Sequence, residues 1–146
     1  MSVAGALPKV TTPTPGYSGK PLWIKLGLKP GLRVCLRDAP DDYWDLCAFD
    51  AASVTTASAR ATFDFGHVFA TSRAALARAL KSTAGKLEAG GSLWISWPKK
   101  SSGVTTDLTE DTLRELALPL GLVDVKVCAV TGAWSGLKFM WRRERR

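Results

Sequence analysis

Ser92-Leu93-Trp94-Ile95-Ser96-Trp97 is the stretch on which the fold turns, because four of its six side chains are large and apolar and none is charged. A run of this kind, without alternation, belongs to a strand covered on both faces near the middle of a parallel sheet. Immediately before it, Gly90-Gly91 reads as the stop of a helix that Ser72 caps and that carries Leu76, Leu80 and Leu87 along one side. Before that helix, Phe65-Gly66-His67-Val68-Phe69-Ala70-Thr71 reads as a second apolar strand.

Downstream, the loop from Pro98 to Asp107 leads to Thr109, an N-cap followed by Glu110 and Asp111, with Leu108 placed to staple onto Leu113. That helix runs toward Pro119. Leu122 to Val130 and Leu137 to Trp141 both alternate and are joined by a Gly-containing turn, which predicts a long terminal hairpin. Upstream, two Thr-Pro pairs in Val10 to Gly16 mark a flexible leader over residues 1–17. Pro21 to Gly27 has the Pro-first, Gly-last signature of a short cap helix, and Leu32 to Arg37 alternates as the first strand. Tyr43, Leu46 and Cys47 place a helix of two to three turns from about Pro40, its early acids answering the helix dipole. Val54-Thr55-Thr56 is a short strand.

These elements predict an α/β fold of three layers: a Rossmann-like, mostly parallel sheet with a C-terminal antiparallel hairpin strand, resembling a methyltransferase domain trimmed by about one strand-helix unit. Residues 18–141 form a single domain in this reading, with a basic tail over 142–146. The chain of 146 residues carries a net charge of +7. Lys9, Lys20, Lys25 and Lys29 supply four of these charges without an acid before residue 30, the tail adds three, and the remainder cancels. Neutralising several phosphates requires a cluster on one face, so basic ends alone make nucleic acid an unexpected partner. The ends read as solubilising, with a basic arm as the competing reading. No apolar run approaches a membrane span, and Met1 to Gly16 lacks a secretory pattern, so the expected location is cytoplasmic and away from the membrane. Cys35, Cys47 and Cys128 have neither CxxC spacing nor enough histidine to complete a zinc site, since His67 is alone.

Three stretches carry a resemblance. Gly16-Tyr17-Ser18-Gly19-Lys20-Pro21-Leu22 with Leu26 to Gly31, Trp94-Ile95-Ser96-Trp97-Pro98-Lys99-Lys100-Ser101-Ser102-Gly103, and Thr106 to Glu110 continuing through Gly121 to Val130 and Trp134-Ser135-Gly136-Leu137-Lys138 resemble short bacterial proteins grouped as domain of unknown function 3052. The wider similarity is to methyltransferases that use S-adenosylmethionine, in which the first strand ends at an acid followed by a glycine-rich turn. Here that position reads Leu36-Arg37-Asp38-Ala39-Pro40-Asp41-Asp42, with no glycine and with a proline that removes a backbone donor. Asp38 stands at the acid's place; Ser58, Ala59 and Arg60 stand where an acid for ribose hydroxyls would be sought.

Ligands of open parallel sheets sit outside the carboxyl ends of the strands. Those ends offer Asp38, Ser72, Arg73, Trp97, Lys99 and Lys100, a set of cations, a helix start and a flat aromatic that suits a small anionic or heteroaromatic ligand. The competing reading has solvated lysines and a core tryptophan. The segment from Pro98 to Asp107 is long enough to serve as a lid. His67 reads as a satisfied core residue, the cysteines as small hydrophobes, Asp41, Asp42 and Asp45 as dipole partners, and Trp134 and Trp141 as core, with a partner surface as the alternative. The expected function is therefore a non-catalytic module binding a small ligand or a protein, with no cofactor. The alternative is a divergent methyltransferase using S-adenosylmethionine.

Overall fold

The computed structural model describes residues 20–58 and 60–146. The leader expected over 1–17, the Gly16 to Gly19 part of the resemblance and Ala59 lie outside them. Six strands form one sheet: β1 (Arg33–Arg37), β2 (Thr55–Thr56), β3 (Phe63–Phe69), β4 (Leu87–Pro98), β5 (Leu122–Ala129) and β6 (Trp134–Trp141), in the order β2-β1-β3-β4-β6-β5. β1, β2, β3 and β4 pair in parallel, and β6 runs antiparallel to both β4 and β5. The Leu93 to Trp97 segment is thus central, as its unbroken bulk requires, and β6 is the single reversed strand.

Alternation along β4 divides the core into two layers. Leu93, Ile95 and Trp97 face α3 (Arg73–Thr83) and α4 (Glu110–Ala117), packing with Leu76, Leu80, Leu113, Leu137 and Phe139. Trp94 faces the other way, toward α1 (Leu22–Leu26) and α2 (Tyr43–Cys47), in a cluster with Phe65, Phe69, Leu26, Tyr43 and Cys128. Helices on both faces of a mixed sheet complete the three layers. The caps follow the sequence: Gly27 ends α1 at φ 84°, the Ser72 hydroxyl accepts from the Ala75 N–H, and Thr109 accepts from the Thr112 N–H. Leu108 and Leu113 are both buried, as a staple requires.

The expected helix through Leu87 ends earlier. α3 stops at Thr83, a single turn of 3-10 helix covers Ala84–Lys86, and Leu87 already belongs to β4. Gly90-Gly91 is therefore a strand feature. Between its pairings with Phe63 and Phe65, β4 advances from Leu87 to Ser92, so the two glycines lie in a bulge. A Cβ at Gly91 would stand 2.7 Å from the Asp64 carbonyl oxygen, which is why a side chain is excluded there. Two other boundaries move: α2 spans five residues rather than two to three turns, and β3 begins at Phe63 and ends at Phe69.

Candidate functional site

The sheet reverses its winding between β1 and β3, and the crevice outside their carboxyl ends is where such folds hold ligands. β1 ends at Arg37, whose guanidinium reaches the Ser82 hydroxyl of α3. Asp38 follows with φ 56°, in the left-handed region, exposed to solvent. Ala39 packs against the second core cluster, and the Pro40 carbonyl accepts from the Tyr43 N–H at 3.0 Å. Tyr43, nearly buried, then lies over β3. Its hydroxyl is 2.8 Å from Nδ1 of His67, and Nε2 of His67 is 2.7 Å from the Ser96 hydroxyl.

His67 is fully buried and stacked on Phe69 at 4.3 Å between ring centroids. Burial pushes its pKa down to about 3, so the ring is neutral with both nitrogens engaged, as expected of a core histidine. The same burial raises the Tyr43 hydroxyl well above its ordinary value and the Cys47 thiol to about 12, and it raises Cys35 and Cys128. None of these sulfurs is a ready thiolate.

At the end of β3, the donors of α3 are met from within the chain. The Arg73 N–H donates to the Asp107 carboxylate at 2.8 Å, the Arg73 guanidinium pairs with Glu115 at 2.7 Å, and Thr106 donates to the Thr71 carbonyl at 2.6 Å. The segment from Pro98 to Asp107 is thereby tied down, with a 3-10 turn at Lys100–Ser102 and the Lys99 N–H donating to the Ala133 carbonyl.

Trp97, Lys99 and Lys100 come together at the end of β4. They line an open cavity of about 580 Å³ whose other wall is the start of α4, with Glu110, Asp111 and Arg114. Arg114 pairs with Glu110 at 3.0 Å, Asp111 at 3.3 Å and Asp124 at 3.2 Å. One guanidinium is thus shared among three carboxylates, so this wall keeps a net negative charge in the cavity that Lys99 and Lys100 line. Of the six residues picked from sequence, Asp38, Ser72 and Arg73 are not in this lining. A smaller cavity of about 350 Å³ lies at the opposite end of the strands, where Asp64 and Glu88 are bridged by Arg33. That contact holds the Asp64 carboxyl below the usual range. Among the described residues no group of three His, Cys, Asp or Glu side chains could hold a metal ion.

Sequence reasoning missed Asp107, Glu115 and Arg114 as partners, and Tyr43 as the partner of His67. Only the i, i+4 spacing of Glu110 and Arg114 was available as a signal. Trp141 and Trp134 are packed rather than presented: the Trp141 indole donates to the Leu87 carbonyl at 2.8 Å, and Trp134 meets Phe69 edge to face at 5.1 Å.

No family model and no curated protein matches the sequence. Solved structures do match. A putative type 11 methyltransferase from Sulfolobus solfataricus aligns with a TM-score of 0.55 and 17% identity, over 83% of this chain and 89% of that one. The ribosomal protein L11 methylase from Lactobacillus delbrueckii subsp. bulgaricus aligns with a TM-score of 0.52 and 12% identity, over 84% and 76%. LepI in complex with SAM aligns at 0.51 and 14% identity, over 83% of this chain; the match spans 39% of LepI. The fold is methyltransferase-like and Rossmann-like. No helix among the described residues is long and apolar enough to cross a membrane.

The turn after β1 lacks the glycine-rich backbone that the resemblance to methyltransferases using S-adenosylmethionine implies. A cradle needs backbone that approaches the ligand, whereas Asp38 itself occupies the left-handed conformation, Ala39 is packed, and Pro40 has no N–H to offer. Beyond them Tyr43 is buried in the core, its hydroxyl engaged by His67.

Proposed function

We propose that this chain is a non-catalytic binding module on a methyltransferase-like scaffold, taking a small anionic or heteroaromatic ligand where Trp97, Lys99 and Lys100 meet the start of α4. The observation that carries this reading is a contrast between two strand ends. The turn after β1, Asp38 to Asp42, holds a proline and no glycine, while the carboxyl end of β4 borders an open cavity with two lysines in its lining. Lysine ammonium groups favour an anion, with Glu110 and Asp111 of the α4 start opposing them across the cavity, and an aromatic wall favours a ring. Trp97 is 8% exposed, so charge rather than stacking supplies most of the affinity. Asp38, Ser72 and Arg73 belong to the same edge, as a rim for a larger ligand or a protein partner. The strings from Trp94 to Gly103 and from Trp134 to Lys138 support membership of domain of unknown function 3052, and a cytoplasmic location accompanies this reading.

Structural neighbours favour a second reading, a divergent S-adenosylmethionine-dependent methyltransferase. Thermal shift and calorimetry separate the two. Adenosylmethionine and its demethylated product should leave the melting temperature unchanged, and a nucleotide or inorganic phosphate should raise it through Lys99 and Lys100. Specific binding at about one hundred times the dissociation constant stabilises by about 2.7 kcal/mol, several degrees for a domain of this size. The Lys99→Ala, Lys100→Ala double variant should keep its unliganded stability and lose that shift. Stabilisation by adenosylmethionine that survives the double variant would favour the methyltransferase instead.

A further inference from the structure

Composition left nucleic acid without a docking face, because the excess charge sits at the chain ends. Strand register supplies a face. Lys126 on β5 stands directly opposite Lys138 on β6, a like-charge pair on neighbouring strands, which costs stability unless something anionic answers it. Lys138 in turn lies opposite Trp94 on β4, so both lysines share the Trp94 face of the sheet. The Trp94 indole donates to the Leu26 carbonyl at 2.9 Å, which pins the end of α1 over this region. Lys25 and Lys29 flank that end, and Lys25 reaches the Cys128 thiol two residues along β5 from Lys126. Half-buried Lys138 has its pKa lowered by burial and by the neighbouring charges of Lys126 and Lys29.

We propose that this face, built by Lys126 and Lys138 of the hairpin with Lys25 and Lys29 above it, binds the phosphate backbone of a nucleic acid strand without reading its sequence.

A chain of regularly spaced charges fits the arrangement better than a small anion does. Exposed Lys126 and the half-buried Lys25 and Lys138 come from two strands and a helix on one side of the sheet, so the charge is spread along the surface rather than gathered at one point. Asp64 and Glu88, which share a cavity with Lys29, pair with Arg33, and Asp124 of β5 pairs with Arg114. An acidic protein is the weaker candidate. Protein interfaces centre on clusters of desolvated apolar anchors, whereas the exposed Val127 lies opposite Leu137 on the α3 and α4 side and Ile24 beside Lys25 is a single such side chain on α1. The gatekeeping role of an edge lysine accounts for Lys126 on β5 but not for Lys138, which lies one strand in. The inference concerns a surface separate from the proposed Lys99 and Lys100 cavity, and either can fail alone.

The test is fluorescence anisotropy of a labelled single strand of about 20 nucleotides with the full chain, titrated across salt. Each phosphate contact contributes about 0.7 to the logarithmic salt slope, so four lysines predict about fifty-fold weaker binding on going from about 50 to 200 mM salt. Lys126→Ala with Lys138→Ala should bind more weakly and reduce that ratio to about seven-fold. The corresponding pair of Lys→Arg changes should restore it, and circular dichroism should show both variants folded. No binding at low salt overturns the proposal. So does a slope unchanged in the alanine variant, or one abolished instead by Arg142→Ala with Arg143→Ala, which would assign binding to the tail. Equal displacement by polyglutamate of matched charge would assign the face to an acidic protein and overturn it as well.

Discussion

Lowering the pH from 7 to 4 should unfold this protein partly through one residue, His67. Its ring is fully buried, bonded at both nitrogens by Tyr43 and Ser96, and held neutral with a pKa of about 3. In the unfolded chain the same ring takes a proton near pH 6.5. Below that value the unfolded state binds one more proton than the folded state, so stability is full above pH 6.5 and falls as the pH drops toward 3. The slope approaches about 1.4 kcal/mol per pH unit, which integrates to about 3 kcal/mol between pH 7 and pH 4. Because pH 4 is still above the folded value, this loss depends on the unfolded pKa and little on the depth of the shift. Urea denaturation at four pH values, compared with His67→Gln, isolates the effect, since Asp64 and the other carboxylates titrate alike in both proteins. The variant should be less stable at pH 7 by about 1 to 3 kcal/mol, having disturbed a buried polar pair. Its acid loss should be smaller than that of the parent by about 3 kcal/mol. Parallel curves would mean that His67 protonates within the fold, and the closed Tyr43-His67-Ser96 arrangement would be refuted.

Ile95→Ala should cost about 2 to 5 kcal/mol in the same assay, because Ile95 is fully buried on the central strand; a loss below about 0.5 kcal/mol would place it at a surface. Gly66→Ala should cost about 1 to 3 kcal/mol, since the new methyl would stand 2.6 Å from the Phe63 ring and 2.8 Å from Leu93, and a neutral result would remove Phe63 from that position. Asp107→Ala should cost about 0.5 to 2 kcal/mol, as loss of a helix cap does. Hydrogen exchange should then quicken at the Arg73 amide, whose acceptor is removed; unchanged protection would contradict the Asp107 contact.

The parts of this fold that were legible in the sequence are those set by a local run. Leu93 to Trp97 announced a doubly covered strand because no solvent-facing position interrupts it, and Ser72, Thr109 and Gly27 announced helix ends because their caps are made within one turn. The bulge at Gly90-Gly91 was not legible. Two adjacent glycines after a leucine-spaced helix look like a stop, and only the passage of the Asp64 carbonyl 2.7 Å from a Cβ at Gly91 explains them as strand residues. The candidate site divides the same way. Trp97, Lys99 and Lys100 are neighbours in sequence and share a cavity, but the engagement of Arg73 by Asp107 and Glu115 spans 34 and 42 residues. The Lys126 and Lys138 pair needed the hairpin's register, which the bulge between Asp124 and Lys126 sets.

Burial takes His67, Tyr43 and Cys47 away from acid-base use at neutral pH. General acid-base chemistry needs a group whose pKa lies near the working pH and which can reach the reacting proton. His67 has the right chemistry and the wrong place, since burial takes it to about 3 and Tyr43 and Ser96 occupy its nitrogens. Tyr43 and Cys47 are pushed the opposite way by the same burial, further from use at neutral pH. The lysines lie at the surface instead, Lys99 and Lys100 in a cavity that also holds Glu110 and Asp111, and Lys126 opposite Lys138 on the hairpin. Burial thus holds His67, Tyr43 and Cys47 in their neutral forms, which is why the charged groups open to a ligand are those of the surface.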